Sequence, residues 1–114
     1  MTTSRVQRGD IWWIDFEPAQ GSEVHKVRPA VVLSNDVACR VQDRVQVVPV
    51  TSNVARIYTW EAAINVSGRK CKAMADQIKT VAKGRIKGKI GAASANEMSD
   101  IEAAVCIQLG LRAR

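Results

Sequence analysis

Arg28 stands directly before Pro29, and Thr51 and Ser52 directly follow the apolar run Val45 to Val50. These residue types can handle a phosphate. A guanidinium is a permanent cation whose donors form a fork matched to phosphate oxygens. The residue before a proline is biased toward an extended backbone, which fixes where its side chain begins. Hydroxyls at a strand end can add further donors. Each has a plainer alternative: Arg28 in a surface ion pair, and Thr51 and Ser52 in a turn that uses both hydroxyls locally. A second chemical signal is charge. The net charge is +6, and Arg69, Lys70, Lys72, Lys79, Lys83, Arg85, Lys87 and Lys89 face a single acid, Asp76, in that stretch. Such a segment attracts polyanions, nucleic acid above all, or is simply a solvated basic face.

Composition limits what can carry these groups. With 114 residues the chain is expected to be one domain, residues 1–114, with a modest core and no accessory unit. Apolar residues make up 46%, enough to fold. Runs such as Pro29 to Leu33 are far too short to span a bilayer, and the N-terminal segment lacks the apolar stretch of a signal peptide. A cytoplasmic protein without a membrane partner is expected. Cys39, Cys71 and Cys106 are odd in number, widely spaced and without a Cys-x-x-Cys. They fit neither a disulfide framework nor a zinc site, and read as reduced, partly buried small hydrophobes. No metal and no cofactor are expected.

The elements that must position Arg28 and Thr51 are short strands followed by one helix. Ile11 to Phe16 reads as a strand, with Trp12, Ile14 and Phe16 on one face and Ile11 and Trp13 on the other. The preceding Arg8, Gly9 and Asp10 signal a turn. Glu17 to Arg28 reads as a long loop. Pro29 to Ser34 is a second strand, with proline in first place, where its missing donor matters least. Asn35 to Gln42 is a connector with about one helical turn. Val45 to Val50 is a central strand, weakened by Pro49 near its end. Ile57 to Val66 is a fourth strand, closed by Ser67 and Gly68. Cys71 to Lys79 is a fifth, with Met74 and Ile78 inward, and Lys89 to Ala92 a short sixth. Ser94 and Glu97 have the form of a capping box. Met98, Ile101, Ala104, Val105 and Leu109 then recur at helical spacing, and Gly110 is placed to stop the helix. The expected fold is mainly β, a small barrel with a C-terminal helix.

Five fragments carry a resemblance. Arg8 to Trp12, then Pro18 with Gly21, Ser22 and Glu23, then Arg28 to Ser34 resemble the opening of the MazF/PemK toxins. Val48 to Ser52, and Asp76 to Thr80 followed by Lys83, Arg85 and Ile86, match the same family in the same order. The resemblance covers about Arg8 to Leu109. It implies an SH3-like barrel of the type shared by MazF and CcdB toxins, working as a homodimer. The implied activity is sequence-selective cleavage of single-stranded RNA, which halts growth. The implied partner is a MazE-like antitoxin whose acidic, flexible C-terminal segment occupies the RNA groove. Two departures, Ala38-Cys39-Arg40 in place of a polar asparagine and Ala82 in place of an acid, bear on substrate preference.

In metal-free RNA cleavage the ribose 2′-hydroxyl attacks the adjacent phosphorus, and donors aimed at the non-bridging oxygens contribute most. The resemblance assigns the scissile phosphate to Arg28 and Thr51. An arginine pKa above about 12 makes Arg28 a poor base, so it acts as charge stabiliser and donor toward the leaving 5′-oxygen. Glu23 or His25 would accept the 2′-hydroxyl proton. His25 has the better unperturbed pKa, although a lone loop histidine is more often just exposed. The products would be a 2′,3′-cyclic phosphate and a 5′-hydroxyl. Ser52, Asn53, Asp76 and Gln77 are candidates for base reading, and Lys79, Lys83 and Arg85 for backbone contacts. Trp12 is expected in the core; Trp13 and Trp60 are left between core, interface and base stacking. Two rivals are a CcdB-like gyrase poison and a non-catalytic nucleic-acid-binding barrel. The first is disfavoured by the absence of an aromatic in the C-terminal Gly110 to Arg114.

Overall fold

A computed structural model describes residues 5–16 and 26–112. Among them the order is β1 (Asp10–Phe16), β2 (Lys26–Val32), α1 (Asp36–Val41), β3 (Arg44–Thr51), β4 (Glu61–Val66), β5 (Arg69–Met74), β6 (Lys79–Ala82), β7 (Ile86–Ala92) and α2 (Ala95–Leu109). Single 3₁₀ turns, Ala75–Gln77 and Lys83–Arg85, flank β6. All pairings are antiparallel. The sheet runs β4-β5-β3-β2-β1-β7, with β6 also on β3. Its outer strands β4 and β7 are not paired with each other among the described residues, so the sheet curls into a half-barrel. Among the described residues no helix is long and apolar enough to cross a membrane.

Alternation along the strands builds two cores, one on each face of the sheet. Ile11, Val31, Val48 and Val50 enter one; Trp12, Ile14, Ala30, Val32, Val45 and Val47 enter the other. Burial on both faces explains why residues 29–32 of β2 and 47–50 of β3 are continuously apolar. Helix α2 closes the first core with Ile101, Ala104 and Val105. Its capping box is complete: Ser94 Oγ accepts from Glu97 N at 3.0 Å, and Glu97 Oε1 from Ser94 N at 2.9 Å. The other Glu97 oxygen accepts from Asn65 N at 2.8 Å, so one carboxylate starts the helix and ties it to β4. The turn before β1 needs glycine, because Gly9 has φ +90°. Gly9 there donates to Val32 O and accepts from Ala93 N. Buried Asp10 accepts from Gln7 N at 2.8 Å and Trp12 Nε1 at 3.1 Å, and faces Lys89 Nζ at 3.3 Å.

Several expectations are corrected. β2 begins at Lys26, inside the expected loop, so Pro29 stands in mid-strand. It is tolerated there because β2 meets β3 only from Ala30 onward. Pro49 does not end β3. It lies between the stretch paired with β6, Arg44–Val47, and the stretch paired with β5, Val50–Thr51, where a missing donor costs no ladder bond. The fourth strand starts at Glu61, not Ile57. Residues 52–60 form a loop instead, pinned by Glu61 Oε1 accepting from Tyr58 N at 2.9 Å. The expected fifth strand breaks at Ala75 into a 3₁₀ turn, and β6 then pairs with the other half of β3. Met74 is buried but belongs to neither core, whereas Ile78 packs on the first. The sixth expected strand is longer, Ile86–Ala92, and its pairing with β1 carries two register shifts that bend the sheet. Leu109, expected in the buried stripe of α2, is exposed.

Candidate active site

The strand register brings the two principal residues together. β2 and β3 pair at Val31↔Val48 and Ala30↔Pro49. Carried two residues further, that register sets Arg28 level with Thr51, where the strands have parted and their ends open a cleft. Arg28, Thr51 and Ser52 all line this cleft, which encloses about 480 Å³. Trp13, Pro29, Val50, Val66 and Ile90 supply its apolar lining; Ser67 and Arg69 add polar groups. Ser67 (φ +53°) and Gly68 (φ +78°) both take left-handed backbone. This is the two-residue hairpin geometry that suits the right-handed twist of β4 and β5, and it delivers Ser67 and Arg69 to the cleft rim.

Arg28 is half-buried and makes no ion pair among the described residues. Thr51 does take part in a local turn, since its Oγ1 accepts from Asn53 N at 3.2 Å. That bond occupies an acceptor site and leaves the hydroxyl proton to donate. Asn53 Oδ1 is engaged in the same loop, accepting from Ala55 N at 3.3 Å. Among the described residues the cleft's polar lining is thus mainly guanidinium and hydroxyl, a set of donors suited to an anion. No group of three or more His, Cys, Asp or Glu side chains placed for a metal ion occurs among the described residues.

Other sequence candidates lie elsewhere. Asp76 and Gln77 are exposed on the 3₁₀ turn and not on a strand; Gln77 Nε2 reaches Met74 Sδ at 3.7 Å. Lys79 and Arg85 border a separate hollow of about 140 Å³ with Asp15 and Phe16. Arg85 lies 3.9 Å from Asp15, and Lys79 Nζ 5.8 Å from the Phe16 ring. Lys83 donates to Cys39 O. Burial, followed by the charge of Asp36, pushes the Cys39 thiol above its ordinary pKa, which fits an unreactive core cysteine. Glu23 and His25 lie outside the described residues. Reasoning from sequence missed Ser67, Arg69 and the placement of Trp13 in the cleft. The available signal was that the Ser67-Gly68 turn opens the basic stretch.

Beside the cleft, the cross-strand partner of Thr51 is Lys72. Lys72 is buried, donating to Glu61 Oε1 at 2.8 Å and to Arg56 O at 2.7 Å. This pair fastens the loop of residues 52–60 onto β4 and β5.

Residues 7–109 match the model of the PemK-like, MazF-like toxins of type II toxin–antitoxin systems. The chain belongs to this family. It is 39% identical over 115 aligned residues to Endoribonuclease MazF9 of Mycobacterium tuberculosis (strain ATCC 25618 / H37Rv), covering 93% of this chain and 98% of that one. An endoribonuclease from a mycobacterial species superposes with a TM-score of 0.82 at 22% identity over the full length of both chains. A mycobacterial endoribonuclease solved in complex with its cognate antitoxin gives 0.80 at 24%, covering 96% and 99%. At those identities the superpositions speak for the fold alone, this half-barrel with its C-terminal helix.

Proposed function

We propose that this toxin is a metal-independent, sequence-selective endoribonuclease that cuts single-stranded RNA. It acts as a single domain spanning residues 1–114 and as a homodimer, on mRNA and on accessible rRNA or tRNA. The observation that carries this reading is one cleft holding Arg28, Thr51 and Ser52, with Arg28 unpaired among the described residues and the Thr51 proton free to donate. Membership of the toxin family and likeness to a named endoribonuclease support it.

In the mechanism, Arg28 and Thr51 hold the non-bridging oxygens of the scissile phosphate, where charge accumulates as the 2′-oxygen attacks. Glu23 or His25, in the segment leading into β2, accepts the 2′-hydroxyl proton. Arg28 stabilises the departing 5′-oxygen and donates a proton to it, regaining one from solvent. The phosphorus–5′-oxygen bond breaks as the phosphorus–2′-oxygen bond forms, leaving a 2′,3′-cyclic phosphate and a 5′-hydroxyl. Ser52 and Asn53 sit beside the phosphate site; Asp76, Gln77, Lys79, Lys83 and Arg85 lie outside the cleft and are assigned to more distant nucleotides. A MazE-like antitoxin inhibits by laying its acidic, flexible C-terminal segment across the same donors.

The test is incubation with a long unstructured RNA in excess EDTA, followed by analysis of the fragment ends. Discrete fragments ending in cyclic phosphate are expected. RNA left intact by well-folded protein, or fragments ending in 3′-hydroxyl, would reject the reading.

A further inference from the structure

Two neighbouring tryptophans on β1 have opposite fates. Trp12 is 5% exposed, in the second core, and Trp13 is 44% exposed. Trp13 lines the cleft that also holds Arg28 and Thr51. We propose that Trp13 is the stacking wall for the base of the nucleotide adjoining the phosphate bound by Arg28 and Thr51. This rests on the ribonuclease reading and gives the cleft a base subsite.

Three observations lead there. First, the indole is held in place. Trp13 pairs across the hairpin with Pro29, the residue after Arg28, and its Cδ1 lies 3.8 Å from where a Cβ on Gly88 would stand. The ring therefore lies beside β7 at ordinary van der Waals range. Second, the cleft's lining is of two kinds. Guanidinium and hydroxyl donors suit a phosphate, while Trp13, Val50, Val66 and Ile90 offer an apolar surface too large for the phosphate to use. A nucleotide has this same division between charged backbone and flat base. Third, among the described residues no carboxylate or amide side chain lines the cleft, so what they offer a base is a stacking surface more than hydrogen bonds to its edges. Aromatic stacking is the sequence-tolerant way in which proteins hold unpaired bases.

The experiment uses 2′-O-methyl oligonucleotides, which lack the attacking hydroxyl and so bind without being cut. An abasic residue is stepped through each position, and affinity is measured for wild type, Trp13→Ala and Trp13→Phe. In wild type, one position should lose affinity by about 5- to 150-fold when abasic, the range for a single base–aromatic stack. Trp13→Ala should lose a similar factor on intact RNA and nothing further at that position, while Trp13→Phe keeps most of the affinity. Equal losses at every position, wild-type affinity in Trp13→Ala, or a change confined to oligomeric state would overturn the proposal. If Trp13→Ala unfolds, the phenylalanine variant decides. RNA must quench tryptophan emission in wild type and not in Trp13→Phe; quenching of equal size in both overturns it. Cleavage of unmodified RNA by wild type, run in parallel, shows separately whether the ribonuclease reading has failed.

Discussion

Thr51 shows how a single hydroxyl can serve structure and chemistry together. Its oxygen is tied by Asn53 N, which orients the group and leaves its proton for a phosphate oxygen. Thr51→Val should therefore lower kcat by about 10²-fold or more, the cost of removing one preorganised donor, with little change in KM; Thr51→Ser should retain most activity. Steady-state kinetics on a short RNA decide between them. Lys72, across the ladder from Thr51, carries a structural load instead. Its side chain and that of Glu61 are 11% and 6% exposed. Lys72→Met strands a buried carboxylate and should destabilise by about 3–5 kcal/mol, and adding Glu61→Gln should recover much of the loss. Urea unfolding of the single and double variants measures both. At this scale the sequence was partly legible. Arg28 and Thr51 could be paired because a motif resemblance singled them out, and the register then set them level. Arg69 and Trp13 escaped because sequence does not say which of many lysines, arginines and tryptophans a hairpin will turn toward a cleft.

Helix α2 and the Pro49 junction illustrate what local sequence can and cannot specify. Ser94, Glu97 and Gly110 mark the helix ends through hydrogen bonds made within a few residues, and those signals are local and strong. Glu97 does more than cap, since it also accepts from Asn65 N. Glu97→Ala should cost about 0.5–2 kcal/mol, near the upper end because two elements lose a partner, and thermal unfolding checks it. The strands were legible wherever alternation served a core, as in β1 and β3. They were misread where a tertiary contact overrode local pattern. Residues 57–60 alternate loosely like a strand yet are held as loop by Glu61 and Lys72. The segment Cys71–Lys79 reads as one run, but Ala75–Gln77 must turn so that β5 and β6 can each pair with a different half of β3.

Across the whole molecule, the basic stretch is not one face. Lys72 is paired with Glu61, Lys89 with Asp10 and Arg85 with Asp15, and Lys83 holds the Cys39 carbonyl. Lys87 also reaches Gly84 O at 3.5 Å and Lys79 lies over the Phe16 ring, so six of its eight cations have partners within the fold. Around the cleft, Arg28 and Arg69 are the cations placed for RNA, with Lys79, Lys83 and Arg85 assigned to more distant nucleotides. Five phosphate contacts give a slope of about −3.5 for log affinity against log salt, whereas the two cleft cations alone would give about −1.4. A titration of oligonucleotide binding from low to moderate salt separates these values. The central claim is that Arg28 meets charge that develops during the reaction. The most direct test compares Arg28→Ala with wild type in single-turnover cleavage and in binding to an uncleavable 2′-O-methyl RNA. The account predicts a rate at least about 10²-fold lower with affinity reduced far less. A cleavage rate that falls only in proportion to affinity, or does not fall at all, would contradict it.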